Sequence, residues 1–269
     1  MKARTMRVLS RFIKVACLAA APLTAGACDA FATKASPLDD PALGGRNRYE
    51  RCLALVKRDA ARAETEASGW SAAGGGAAAL HCEALALVEL KRFTEAAQKL
   101  EDAANQSAAA PSLRAELLDQ AGNAWLLASA AGKAETALSS ALALEPKNED
   151  VLADRARERG AARNWTGAIG DLTSVLALDP DRADIYVLRA SALHAQGRKA
   201  EAGADIARAL GIYPNYPEAL VERGTMRLEA GDKSGARNDW QQAAKQAPDS
   251  ATAATALAHL KLLGATPSK

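Results

Sequence analysis

Along residues 115–250 the apolar positions fall at helical spacing, and that spacing recurs every 34 residues. Leu138, Leu172, Ile206 and Trp240 form one row, and Ala141, Val175, Ala209 and Ala243 follow three residues after each. Residues three apart share one face of an α-helix, so each such couple marks a stripe that packs inward. Pro146, Pro180, Pro214 and Pro248 keep the same interval. Each stops its helix, because proline has no amide hydrogen and its ring clashes with the preceding turn. Gly122, Ala156, Ala190 and Gly224 form a row of small residues, and Ala134, Ala168, Ala202 and Ala236 form a second. Together they predict two helices per unit that cross at close range, where a large side chain would wedge them apart. The units so defined are 115–148, 149–182, 183–216 and 217–250.

A 34-residue helix–turn–helix period with these small residues resembles the tetratricopeptide repeat family. Positions are numbered from the first residue of each unit, so Gly122 is position eight. Upstream, Leu87, Phe93, Ala96, Leu100 and Ala103 fit a degenerate unit over 77–111, closed by Pro111. Residues 46–76, ending in Gly74-Gly75-Gly76, predict a divergent helical pair. Residues 251–263 predict a capping helix, which such stacks use to stay soluble. The resemblance implies an all-α fold: a right-handed α-solenoid of stacked helix–turn–helix repeats with a C-terminal capping helix.

Composition agrees with that fold. About a quarter of the 269 residues are alanine and only 4% are aromatic. Alanine is the best helix former and strand formers are scarce, which excludes a β-sandwich or barrel. The net charge of +2 includes Lys2, Arg4, Arg7, Arg11 and Lys14, with no acid before residue 28. Losing those five leaves −3, which argues against a nucleic-acid partner.

Those cations precede an apolar stretch over 15–27 that ends in small residues, the order of a secretory signal. The stretch has 13 residues, fewer than the roughly 18 to 20 that span a bilayer, so no transmembrane span is expected. The signal peptide occupies 1–32, cut near 27 or 32. Ala30-Phe31-Ala32 offers an ordinary cleavage site. Ala25-Gly26-Ala27-Cys28 resembles a lipobox, which would put a lipid anchor on Cys28 and make the chain a lipoprotein subunit of an envelope assembly complex. Residues 33–45 read as a flexible tether. The expected location is the periplasm, free or membrane-anchored.

With Cys17 removed in the signal, and Cys28 removed or lipidated, Cys52 and Cys82 remain. An oxidising compartment predicts a disulfide between them. A redox or metal protein using Cys52, Cys82 and His81 is the alternative from another class. No metal-binding HExxH or CxxC, no phosphate loop and no nucleophile elbow occurs in the sequence. Helix pairs account for the mature chain, so the expected protein is not an enzyme and uses no cofactor.

Two rows of charge remain. Arg155, Arg189 and Arg223 stand at position seven and Asp171, Asp205 and Asp239 at position 23, while the 115–148 unit has Ala121 and Ala137 there. In the 77–111 unit the same places hold Glu83 and Lys99. This joint change predicts an ion pair between the two helices of a unit; an arginine row for anionic ligands is the competing reading. Glu116, Asp150, Asp184 and Glu218 form the second row, placed in the first turn of each first helix, where the macrodipole favours carboxylates. The resemblance further implies that first helices line a concave groove. Its lining would be Asn123, Arg157, Ser191 and Thr225 at position nine, with Leu126, Leu127, His194 and Leu228 beside them. Amide, guanidinium, hydroxyl and apolar groups in one groove suit a protein or peptide partner.

Overall fold

The computed structural model describes residues 46–106 and 111–265. The expected signal peptide, the tether and Cys28 lie outside the described residues. The divergent pair is α1 (Arg46–Arg58) and α2 (Ala60–Ala72), and the degenerate unit is α3 (Gly76–Glu89) and α4 (Phe93–Gln106). The four regular repeats follow as α5 (Pro111–Leu127) with α6 (Ala131–Leu144), α7 (Glu149–Ala161) with α8 (Trp165–Leu178), α9 (Ala183–Ala195) with α10 (Lys199–Ile212), and α11 (Pro217–Glu229) with α12 (Lys233–Gln246). The last helix is α13 (Ala251–Ala265). The fold is thus an all-α solenoid of helix–turn–helix repeats. The chain divides into two compact units, one ending at Glu158 and one beginning at Arg159.

The second helices α6, α8, α10 and α12 each end two residues before their proline. Pro111 behaves differently from the expected stop. It is the first residue of α5, where the missing amide hydrogen costs nothing because that group has no partner within the helix.

Within each repeat the first helix closes through one residue in the left-handed region. Lys91, Ser129, Arg163, Gly197 and Gly231 hold this place, and the last four are 34 residues apart. The next residue then bonds back into the helix, as Ala130 N–H does to the Trp125 carbonyl. Glycine enters this region freely, whereas a side chain there costs about 1–2 kcal/mol. The second helices then start from side-chain caps where the sequence supplies them. Asn164 accepts from Gly167 N–H and Asp232 from Gly235 N–H.

The small residues sit where two helices nearly touch. A β-carbon at Gly122 would lie 2.5 Å from Leu138, and one at Gly224 would lie 2.5 Å from Trp240. Position eight therefore makes room for position 24, the start of the apolar row. In the first unit the core runs from Tyr49 through the small buried residues of α3 to Trp125. In the second it gathers Ile206, Leu220 and Trp240. Helix α13 buries Ala253, Ala256 and Leu263, but leaves Leu257 and Leu262 55% and 67% exposed. Its outer face is therefore not the polar surface expected of a cap.

Candidate functional site

The charged seam follows the sequence. Arg189 donates from Nε and Nη2 to the two carboxylate oxygens of Asp205, both at 2.8 Å. Arg223 does the same to Asp239 at 3.0 and 2.7 Å. In the degenerate unit the signs are exchanged, with Lys99 Nζ 2.9 Å from Glu83. All three acids are buried. The bond to Asp205 is the chief cause that raises the pKa of Arg189, so the guanidinium stays charged at the seam.

The seam also contains what the sequence reading missed. Position 11 adds guanidiniums, so that Arg159 lies 2.8 Å from Asp171 and Arg227 lies 2.8 Å from Asp239. Arg189 reaches back to the Thr173 hydroxyl at 3.2 Å, and Arg155 to the Ser139 hydroxyl at the same distance. Position seven thus ties a repeat to the one before it. Position 25 carries the hydroxyl in both cases, a recurrence visible in the sequence.

The expected groove residues stand on the first helices, and most of their polar atoms are engaged. In the first unit Asn123 is buried, and its side-chain nitrogen donates to Asp154 at 2.8 Å and to the Asp119 carbonyl at 3.2 Å. Arg157 donates to the other oxygen of Asp154, so the two groove residues of this unit meet on one carboxylate. Leu126 and Leu127 are half-buried, and Leu126 packs on the core. In the second unit the Ser191 hydroxyl donates to Glu222 at 2.6 Å. His194 Nε2 lies 3.0 Å from Glu229, which also accepts from Lys199 at 2.6 Å. Thr225 donates to the Val221 carbonyl within its own helix, and Leu228 is half-buried against the core. Ser191 and Thr225 are not brought together by a shared bond. Asp154 and Glu222, at position six, and Glu229, at position 13, are the groups that sequence reasoning passed over. The first two pair position nine of one repeat with position six of the next.

The acidic row divides. Asp150, Asp184 and Glu218 lie in the first turns of α7, α9 and α11, as expected. Glu116 does not, because α5 begins four residues before the repeat does and no acid lies in its first turn. Burial, and then the charge of Glu145, push its carboxyl up to about 7.

At the other end of the first unit, Cys52 of α1 and Cys82 of α3 form a disulfide, with α-carbons 6.3 Å apart. Beside it His81 is sandwiched between the Tyr49 hydroxyl at Nδ1, 2.5 Å, and Gln120 Oε1 at Nε2, 2.9 Å. Tyr49 donating to Nδ1 leaves Nε2–H to donate to Gln120, so the ring is neutral. Burial lowers its pKa to about 4. Both sulfurs and both ring nitrogens that the redox or metal alternative needs are therefore occupied. Among the described residues no group of three or more His, Cys, Asp or Glu could hold a metal ion. Trp125 and Trp240 pack inside: Trp125 donates to Glu101 at 2.8 Å, and Trp240 donates to the Val221 carbonyl at 3.1 Å and stacks on His259, while Trp165 is only half-buried. No described helix is long and apolar enough to cross a membrane.

A family model described as tetratricopeptide repeat matches residues 153–217. No curated protein matches the chain. Among solved structures, the fold is similar to MamA, at 16% identity and a TM-score of 0.52 over 60% of this chain and 92% of that one. MamA 41-end from Desulfovibrio magneticus RS-1 gives 19% identity and a TM-score of 0.56 over 65% and 97%. YrrB, whose structure is described as a TPR protein with an unusual peptide-binding site, gives 17% identity and a TM-score of 0.52 over 72% and 96%.

Proposed function

We propose that the chain, whose residues 153–217 match a tetratricopeptide repeat model and whose fold is a solenoid of such helix–turn–helix units, is a non-enzymatic protein-interaction scaffold of the bacterial cell envelope. It would hold a partner protein or peptide in the concave groove along its first helices. The observation that carries this reading is the first-helix face itself. Each unit has there a polar group built on a carboxylate: Arg157 held by the buried Asp154 in one, and Glu229 with His194 in the other, where Lys199 joins from the start of α10. Half-buried leucines also lie on first helices, Leu126 and Leu127 on α5 and Leu228 on α11. A peptide backbone needs donors and acceptors, and its side chains need shallow apolar contacts; this face offers both. The peptide-binding site named for YrrB supports the reading at the level of the fold.

The envelope is supported by the signal-like order of residues 1–27 and by the Cys52–Cys82 disulfide, which suits an oxidising compartment. Lipidation of Cys28 would make the protein an anchored subunit of an envelope assembly complex. The intact mass of the exported protein separates a lipidated Cys28 from a plain cut near 27 or 32. Capture from native envelope extract tests the scaffold itself: the mature chain retains a partner protein, and an Arg157→Ala, His194→Ala, Leu228→Ala variant with an unchanged melting curve does not. Equal capture by both would remove the first-helix face from the interface.

A further inference from the structure

Helix α13 sits where the first helix of a further repeat would. The Thr252 hydroxyl donates to Glu218, 34 residues before it, at 2.7 Å, and Ala253, Ala256 and Leu263 are buried. The period then puts Leu257 at position seven, Ala258 at position eight and Lys261 at position 11. Position eight is buried at Gly122, Ala190 and Gly224. Its cover is the second helix of the same repeat, since a β-carbon at Gly122 or Gly224 would strike Leu138 or Trp240 at position 24. Ala258 is exposed instead. Ala254, Leu257, Lys261 and Leu262 are exposed too, and with Ala258 they form one stripe at spacings of three and four. A helix with apolar residues all round packs on more than one side, but among the described residues α13 packs only on α11 and α12.

Charge says what kind of helix fits the open side. Position 11 elsewhere holds Arg159 and Arg227, each 2.8 Å from a second-helix carboxylate at position 23, Asp171 and Asp239. Lys261 is the cation at that place in α13, which contains no acid, and among the described residues it has no ion-pair partner. The acids of α11 and α12 bond to other groups: Glu218 to Thr252, Glu222 to Ser191, Glu229 to Lys199 and Asp239 to Arg223 and Arg227.

We propose that the exposed stripe of α13 binds an amphipathic α-helix of a partner protein, in the place that a second helix takes in the other repeats. The chain's own second helices define its chemistry: a small residue as at position 20, a carboxylate as at 23 and a large apolar residue as at 24. That is the spacing Ala-x-x-Asp-Leu, which α8 shows at Ala168, Asp171 and Leu172. The apolar side chain lies over Ala258 beside Leu257, and the carboxylate meets Lys261. A folded second copy does not supply such a helix, because α8, α10 and α12 bury these residues within the fold and α13 itself has no acid. By register only Leu262, at position 12, is shared with the first-helix groove, so either reading can fail without the other.

The test is calorimetric titration of the mature chain with an acetylated, amidated, alanine-rich helical peptide that carries Ala-x-x-Asp-Leu. Versions with Asn for Asp and with Gln for Leu serve as comparison ligands. The Asp-Leu peptide binds, the Gln version binds at least about tenfold more weakly, and the Asn version about threefold more weakly. Lys261→Gln removes the difference between the Asp and Asn peptides. Ala258→Leu fills the crossing point; because Ala258 is exposed and leucine is a good helix former, it should abolish binding with no loss of melting temperature. Arg62→Gln in the first unit leaves affinity unchanged. Sedimentation distinguishes a second copy: the chain and its Ala258→Leu variant should have the same mass in solution. No binding of the Asp-Leu peptide, undiminished binding by Ala258→Leu, equal binding of the Asp and Asn peptides to the unsubstituted chain, or a dimer that Ala258→Leu dissociates would each overturn the proposal.

Discussion

In the second unit the helices of the 183–216 and 217–250 repeats are joined by buried Arg–Asp pairs, Arg189–Asp205 and Arg223–Asp239. At the same positions of the 115–148 repeat, in the first unit, stand Ala121 and Ala137, both buried and uncharged. That unit keeps one such pair, Glu83–Lys99 with its signs exchanged, and adds links between successive first helices: the Cys52–Cys82 disulfide and the Tyr49–His81–Gln120 chain. An ion pair at a helix crossing is local to its repeat and can be copied along a period. A disulfide spans two repeats once and needs an oxidising environment. Both halves of one repeating sequence are therefore sensitive to loss of a paired charge, and the first is sensitive in addition to reduction and acid.

The largest expected separation comes from reduction. With the cysteines separated by 30 in sequence, chain entropy assigns the disulfide about 3–4 kcal/mol. Reducing agent, or a Cys52→Ser, Cys82→Ser variant, should lower protection against hydrogen exchange in α1 and α3 and leave α9–α12 unchanged. The converse is Asp205→Ala, which strands a half-buried guanidinium and should cost about 3 kcal/mol. Arg189→Ala should cost a similar amount and the double variant no more than either. Additive losses in chemical denaturation would show that the two residues do not act as a pair.

Titration sharpens the contrast further. His81 is held at about 4 against an ordinary 6.5, so its neutral ring is fully favourable above pH 6.5 and the contribution is lost as the pH falls through 4. Glu116, raised to about 7 from 4.5, acts in the opposite sense: its contribution is complete below pH 4.5 and lost as the pH rises through 7. Each shift corresponds to about 3 kcal/mol, so within the first unit they offset one another between pH 4.5 and 6.5. Glu116→Gln should therefore raise stability above pH 7 and expose the acid sensitivity of His81 as a falling melting temperature from pH 6.5 to 4. The smallest effect lies in the turns. Ser129→Gly and Arg163→Gly relieve a left-handed side-chain residue, one in each unit, and should each add about 1 kcal/mol in denaturant titration.

The repeat register was legible because prolines and crossing residues answer to hard sterics, which leave few alternatives at a position. The seam pair was legible because arginine and aspartate appear and vanish together, and the disulfide because counting left two cysteines. Pro111 misled because proline serves both the start and the aftermath of a helix, and here α5 begins with it. Glu116 misled for a related reason: the repeat boundary and the helix boundary differ by four residues in α5 alone among the regular first helices with an acid at position two. The position-nine residues were placed on the first helices correctly, but their acidic partners Asp154 and Glu222 occur in only some repeats and leave no complete row to notice. Tyr49, His81 and Gln120 come together across 32 and 39 residues, with no period to announce it.

Site-specific photocrosslinking in native envelope extract tests the central claim most directly. A photoreactive residue would replace Leu126 or Leu228 on the first-helix face, and Ala143 or Arg208 on exposed positions of the second helices would serve as the comparison. The scaffold account predicts that Leu126 and Leu228 crosslink to the same partner protein and that the second-helix positions do not. Crosslinks from the second helices alone, or none from the first-helix face, would contradict it.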